Sequence, residues 1–225
     1  MSQVIFDWED VMHNVAVVKR LAVLAGIVLM LADRAQAQIG SGWREFSPAS
    51  FLDFQCGGKH THFPLGNRVF NGASYMSANG VETFKLTSTA CNRIERRAEE
   101  HYTSGKRQMQ GDLRFSDISQ QSVHQLFHGS SGPFFLVSGF SANGGELRKY
   151  GGRVVLASRA YGVWLRYNNL HTVGGSLQIY INGTRKYSGG GAARDGSGNN
   201  NKYGLYGTKT TSAPVVNWRN VKWYR

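Results

Sequence analysis

The sequence predicts an all-β domain, a sandwich of two antiparallel sheets of the jelly-roll kind. Three observations carry this reading. Beyond the first forty residues the chain breaks into short alternating or β-branched and aromatic runs separated by Gly, Asn and Ser clusters. Glycine is abundant, 28 residues against 4 prolines, so the turns are of the kind that uses positive φ at Gly or Asn-Gly. No later segment offers a sustained helical period or a βαβ rhythm, and ten or more short strands in fewer than 190 residues suit two packed sheets.

The first segment stands apart from that domain. Residues 21–32 (LAVLAGIVLMLA) are an unbroken run of apolar or small side chains preceded by Lys19 and Arg20, and Ala35 and Ala37 supply the small-x-small pattern of a cleavage site. Residues 1–37 are therefore read as a secretory signal peptide and residues 38–225 as a single domain, secreted or periplasmic. The run is shorter than the ~20 residues that span a bilayer. Asp7, Glu9 and Asp10 are unusual in a leader, and initiation at Met12 gives one of ordinary length and charge. Without residues 1–37 the chain keeps 23 basic and 10 acidic residues, a net charge of +13. A field of that size favours polyanions: uronic-acid polysaccharide, anionic membrane or nucleic acid. Cys56 and Cys91, an even pair in an exported chain, are expected to form a disulfide. Two thiols among scattered histidines do not make a Cys/His metal set, so no metal site of that kind is expected.

Strands are expected at 82–88, 92–102, 107–115, 122–127, 134–140, 146–150, 153–157, 161–168, 176–181, 184–187, 202–207 and 215–224. Asn71-Gly72, Asn79-Gly80, Asn143-Gly144 and Asn182-Gly183 mark turns, and the last sits between two alternating runs that form a hairpin. Residues 189–201 (GGGAARDGSGNNN) read as a flexible loop, which beside a cleft can act as a lid.

Alternation decides which side chains share a face. In 92–102 it gathers Arg93, Glu95, Arg97, Glu99 and His101. Five ionisable groups in a row cannot line a dry core, so this face meets solvent or a polar cleft. In 122–128 (SVHQLFH) Gln125 lies opposite His124 and His128, and its amide is suited either to a ligand carboxylate or to a satisfied core position. In 200–206 (NNKYGLY) Lys202, Gly204 and Tyr206 share one face, with glycine leaving room between the other two.

In this order the three clusters resemble the motifs of the alginate lyases of polysaccharide lyase family 7 and their glucuronan lyase-like relatives, whose fold is a concanavalin-like β-jelly roll. Arg93, Glu95 and Arg97 meet R-x-E-x-R; Gln125-Leu126-Phe127 corresponds to Q-I-H, and residues 200–206 to Y-F-K-A-G-x-Y. Residues 164–171 with 177–183 resemble the family's long hairpin, and 217–224 its last strand. The likeness runs from about Cys91 to the end of the chain. Phe127 stands where the family has histidine and Asn200 where it has tyrosine, which shifts the expected substrate from alginate toward glucuronan or a related polyuronate.

The resemblance implies a secreted monomer that cleaves an acidic polysaccharide by β-elimination, without nucleic-acid or membrane partners and with no required cofactor; a structural calcium ion is left open. Such a reaction needs the C6 carboxylate neutralised, a base for the C5 proton and an acid for O4. Arg93 or Arg97 with the Gln125 amide fits the first role as an oxyanion site does, and Tyr206 fits the acid. His101 is the expected base, with His124 and His128 as substitutes and Tyr206 able to serve both steps. The expected catalytic set is thus Gln125, Tyr206, His101 and Arg97, and the expected substrate-binding set Arg93, Glu95, Lys202, His124 and Arg114. A glycoside hydrolase needs two carboxylates about 5–10 Å apart. Glu95 and Glu99, four residues apart, stand roughly 13 Å apart along a strand. A non-catalytic polysaccharide-binding protein on the same fold is the alternative, and the departures at Phe127 and Asn200 are what it predicts.

Overall fold

The structure is a computed structural model that describes residues 39–129, 132–151, 153–207 and 213–225. The expected leader, residues 1–37, lies outside the described residues. The compact unit Gly40–Arg225 is a β-sandwich. Its strands are β1 (Glu45–Phe46), β2 (Ser50–Cys56), β3 (Lys59–Pro64), β4 (Arg68–Phe70), β5 (Ala73–Ala78), β6 (Val81–Leu86), β7 (Cys91–Ala98), β8 (Lys106–Ser116) and β9 (Ser122–His128). They continue with β10 (Pro133–Phe140), β11 (Glu146–Lys149), β12 (Val155–Ala157), β13 (Leu165–Thr172), β14 (Ser176–Ile181), β15 (Thr184–Gly190), β16 (Asn199–Tyr206) and β17 (Val215–Tyr224).

The first sheet runs β15-β14-β13-β8-β17-β6-β5-β4, with β1 on the far end of β17; the second runs β12-β11-β10-β9-β16-β7-β2-β3. All pairings between these strands are antiparallel. Leu52, Phe54, Ile94, Leu126, Tyr203 and Leu205 of the second sheet meet Phe84, Met109, Leu113, Tyr167 and Trp218 of the first in one core. Period-two alternation then obliges the residues between them, Asp53, Glu95, Gln125 and Lys202, to point away from the first sheet.

The four Asn-Gly pairs all adopt positive φ at both residues, and three of them close two-residue hairpins. The disulfide forms as expected, joining Cys56 of β2 to Cys91 of β7. Three expectations about extent are corrected. Strand β7 stops at Ala98, because Glu100 turns to bond Arg107 of β8 and Tyr102 bridges to Asn199. Strand β13 begins at Leu165 rather than 161, while Tyr161 makes an isolated parallel bridge to Phe115. Residues 189–201 are less loop than their composition suggests, since β15 extends to Gly190 and β16 begins at Asn199.

Candidate active site

Four adjacent strands of the second sheet, β9, β16, β7 and β2, fix the register of a polar patch. Gln125 pairs with Lys202 and Lys202 with Arg97; Gly204 pairs with Glu95 and Glu95 with Asp53; Tyr206 pairs with Arg93. Side chains close the network. Lys202 Nζ lies 2.8 Å and an Arg93 guanidinium nitrogen 3.0 Å from the same Asp53 oxygen, Oδ2. Gln125 donates its amide to Glu95. The Arg93 guanidinium lies 4.6 Å from the centroid of the Tyr206 ring, and Lys202 Nζ 4.4 Å from that of Phe127.

Asp53, Glu95, Gln125 and Lys202 are all at most 1 % exposed. Burying so much charge is costly unless it is paired. Burial opposes ionisation of Asp53, but Lys202 and Arg93 outweigh it and hold its carboxyl well below the usual range. Glu95 goes the other way: burial pushes its carboxyl up despite Lys202 and Arg93. Burial likewise pulls the Lys202 ammonium down against the opposing pull of Glu95 and Asp53. Arg93 Nε and Glu95 Oε2 stand 3.3 Å apart without hydrogen-bond alignment. Those two atoms, Gln125 Oε1 and Asn200 Oδ1 are buried without a hydrogen-bond partner among the described residues. Buried polar atoms left unpaired are uncommon in folded proteins, and four of them together set this patch apart from the rest of the sheet. Beside it Tyr206 opens onto a cleft of about 310 Å³, lined also by Asn92, Gln120, Leu136 and Tyr150.

No protein-family model and no curated protein sequence matches the chain. Solved structures do. The alginate lyase from Corynebacterium sp. superposes with a TM-score of 0.61 at 15% identity, over 78% of this chain and 94% of that one. The marine alginate lyase AlyA1 of polysaccharide lyase family 7 from Zobellia galactanivorans gives 0.58 at 15% over the same shares. Alginate lyase AlyC3 in complex with dimannuronate gives 0.57 at 11%, over 77% and 88%. This chain has the fold of the family 7 alginate lyases.

On this lyase fold the sequence-chosen residues divide. Arg93, Glu95, Arg97, Gln125, Lys202 and Tyr206 do share the outer face of the second sheet. Arg97 is half-buried, lies over Phe51 at 5.8 Å, and makes no ion pair among the described residues. His101 does not join them. Its strand has ended, it is exposed, and it sits beside Gly198, the length of β16 from Tyr206, roughly 25 Å. His124 points between the sheets, fully buried, within 3.0 Å of Tyr167, Asn169 and Asn201; burial lowers its pKa to about 4. Arg114 belongs to the other sheet, opposite Asn217, where it stacks on Trp164 at 4.6 Å. His128 is held by Asn199 and Asp195. Gly204, expected to leave room for a ligand, instead permits close packing: a Cβ there would lie 2.5 Å from the Ile94 carbonyl oxygen and 2.9 Å from Phe84. Its φ of 137° also accommodates the register shift between Tyr203 and Tyr206.

Sequence reasoning missed the hairpin β2–β3, which brings Asp53 into the network and His60 and His62 beside it. The signal was present: residues 52–56 (LDFQC) alternate, Gly57-Gly58 is a two-residue turn with positive φ at both positions, and His60 and His62 alternate with Thr61 and Phe63. Asp53, His60 and His62 are also a group able to hold a metal ion. Two imidazoles and one carboxylate do not fit calcium, which takes 6–8 oxygens.

Proposed function

We propose that this protein is a secreted polysaccharide lyase that cleaves a uronic-acid polysaccharide, glucuronan- or alginate-like, by β-elimination. The observation that carries the proposal is the patch itself: Arg93, Glu95, Gln125 and Lys202 from three strands, joined through Arg93 to the accessible phenol of Tyr206. The dimannuronate held by AlyC3 supports a polyuronate as the ligand class. The net charge of +13 after removal of residues 1–37 supports steering of such a polymer to the domain. The leader-like residues 19–37 support export.

In this reading Arg97, half-buried on the same face and with no carboxylate of its own among the described residues, receives the C6 carboxylate and stabilises the charge that grows on it as C5 loses its proton, while the buried Gln125 amide donates to Glu95 beneath it. Phe127 offers no proton acceptor at the family's histidine position, and His101 and His124 lie elsewhere. Tyr206 therefore takes both steps, accepting the C5 proton as phenolate and returning it to O4 as the glycosidic C4–O4 bond breaks. The Arg93 guanidinium stacks over the Tyr206 ring and holds it in place. The protein acts as a monomer on polysaccharide, not on nucleic acid or a membrane.

Phe127 and Asn200 favour one second reading, a non-catalytic polyuronate-binding protein. A single assay separates the two. Purified mature protein is incubated with glucuronan, alginate and pectate in turn while the ultraviolet absorbance of unsaturated uronate is followed. A rise with one polyuronate supports the lyase; binding without product supports the second reading.

A further inference from the structure

The hairpin β2–β3 carries a site that the elimination chemistry does not use. Its Gly57-Gly58 turn sets the register so that His62 pairs with Asp53 and His60 with Gln55, which places both imidazoles and the Asp53 carboxylate on the outer face. Asp53 Oδ1 lies 3.1 Å from His60 Nδ1 and 3.5 Å from His62 Nε2. Two ligand atoms each about 2.0–2.1 Å from a tetrahedral ion are separated by about 3.3 Å, midway between those distances. The three donor atoms all lie within 4.8 Å of one another.

The division of labour at Asp53 fits the same use. Oδ2 is taken by Lys202 and Arg93, which anchor the carboxylate from the interior side, while Oδ1 faces the two histidines. The histidine side chains are 46% and 52% exposed, so an ion can enter and keep a fourth position open. β3 is also the edge strand of its sheet among the described residues.

We propose that Asp53, His60 and His62 bind one divalent first-row transition-metal ion, zinc in type, with water or a carboxylate oxygen as fourth ligand. Two imidazoles and a carboxylate are a borderline-soft set that suits zinc, nickel or copper rather than magnesium or calcium. The neighbouring cations Arg93 and Lys202 weaken the site electrostatically. The inference does not rest on the lyase reading and holds equally for a protein that only binds polysaccharide.

The test is calorimetric titration of chelator-treated, dialysed mature protein with zinc chloride, alone and as the double variant His60→Ala/His62→Ala. Wild type is expected to take up about one equivalent, and the variant less than about a tenth. Circular dichroism checks that the variant is folded, and its two half-exposed positions leave the core untouched. Cobalt(II) gives a second readout, expected to show the intense visible bands of tetrahedral coordination in wild type and not in the variant. Absence of zinc uptake by wild type, or equal uptake by the variant, overturns the proposal; so does an octahedral cobalt spectrum that the variant reproduces.

Discussion

Acidification should weaken the fold through His124 by an amount that the structure sets. The imidazole is fully buried between the sheets, bonded to Tyr167 and Asn201, and burial lowers its pKa from 6.5 to about 4. The sign follows from linkage. A group whose folded pKa is depressed contributes stability that is present above its unfolded value, near 6.5, and is lost as pH falls toward the folded value, near 4. Each unit of that difference is worth about 1.4 kcal/mol, so between pH 7 and pH 4.5 this one residue should cost about 2–3 kcal/mol. Urea unfolding at the two pH values, on wild type and His124→Gln, isolates the contribution. The variant is expected to be less stable at pH 7, having lost part of its bonding to Tyr167, Asn169 and Asn201, and to lose about 2–3 kcal/mol less than wild type on acidification. Nuclear magnetic resonance of the imidazole supplies the independent value. Equal losses in the two proteins, or a His124 imidazole that titrates near 6.5, would refute its placement in the core.

Three further outcomes are expected. Asp53→Asn leaves Lys202 and Arg93 buried without their shared carboxylate and should cost about 3–5 kcal/mol in urea unfolding at pH 7; a loss under 1 kcal/mol contradicts the buried network. Removing the Cys56–Cys91 bond by a double alanine substitution should cost about 2–5 kcal/mol, read from the same denaturation curves. Gln125→Ala leaves the buried Glu95 carboxyl without its amide donor and should cost about 1–3 kcal/mol in urea unfolding at pH 7; an unchanged stability contradicts that bond.

Much of the site was legible because strand alternation is a local property. Arg93, Glu95 and Arg97 were placed on one face from three sequence positions, and the pairing of β7, β16 and β9 puts Lys202 and Gln125 beside them. Alternation holds only while the strand lasts, which is why His101 was wrongly included: nothing local in residues 99–101 announces that Glu100 will turn to Arg107. Residues 124 and 125 were correctly put on opposite faces, yet both are fully buried, so no contrast in polarity revealed which one faces the core. Arg114 and Arg93 look alike in sequence because both sheets carry charged residues on the face turned away from the core. Asp53, His60 and His62 were overlooked for a different reason: they precede Cys91, where the family resemblance begins, although their own hairpin pattern is regular.

If the proposed function holds, Tyr206 performs elimination on a polyuronate bound across the patch. The most direct test is the rate of unsaturated uronate formation by wild type and Tyr206→Phe on whichever of glucuronan, alginate or pectate binds, with binding of both proteins measured in parallel. The substitution keeps the ring under Arg93 and removes only the hydroxyl. Product is expected with wild type, none with Tyr206→Phe, and similar affinity for the two; full activity in Tyr206→Phe, or no product from wild type on a polymer it binds, would rule out elimination by Tyr206.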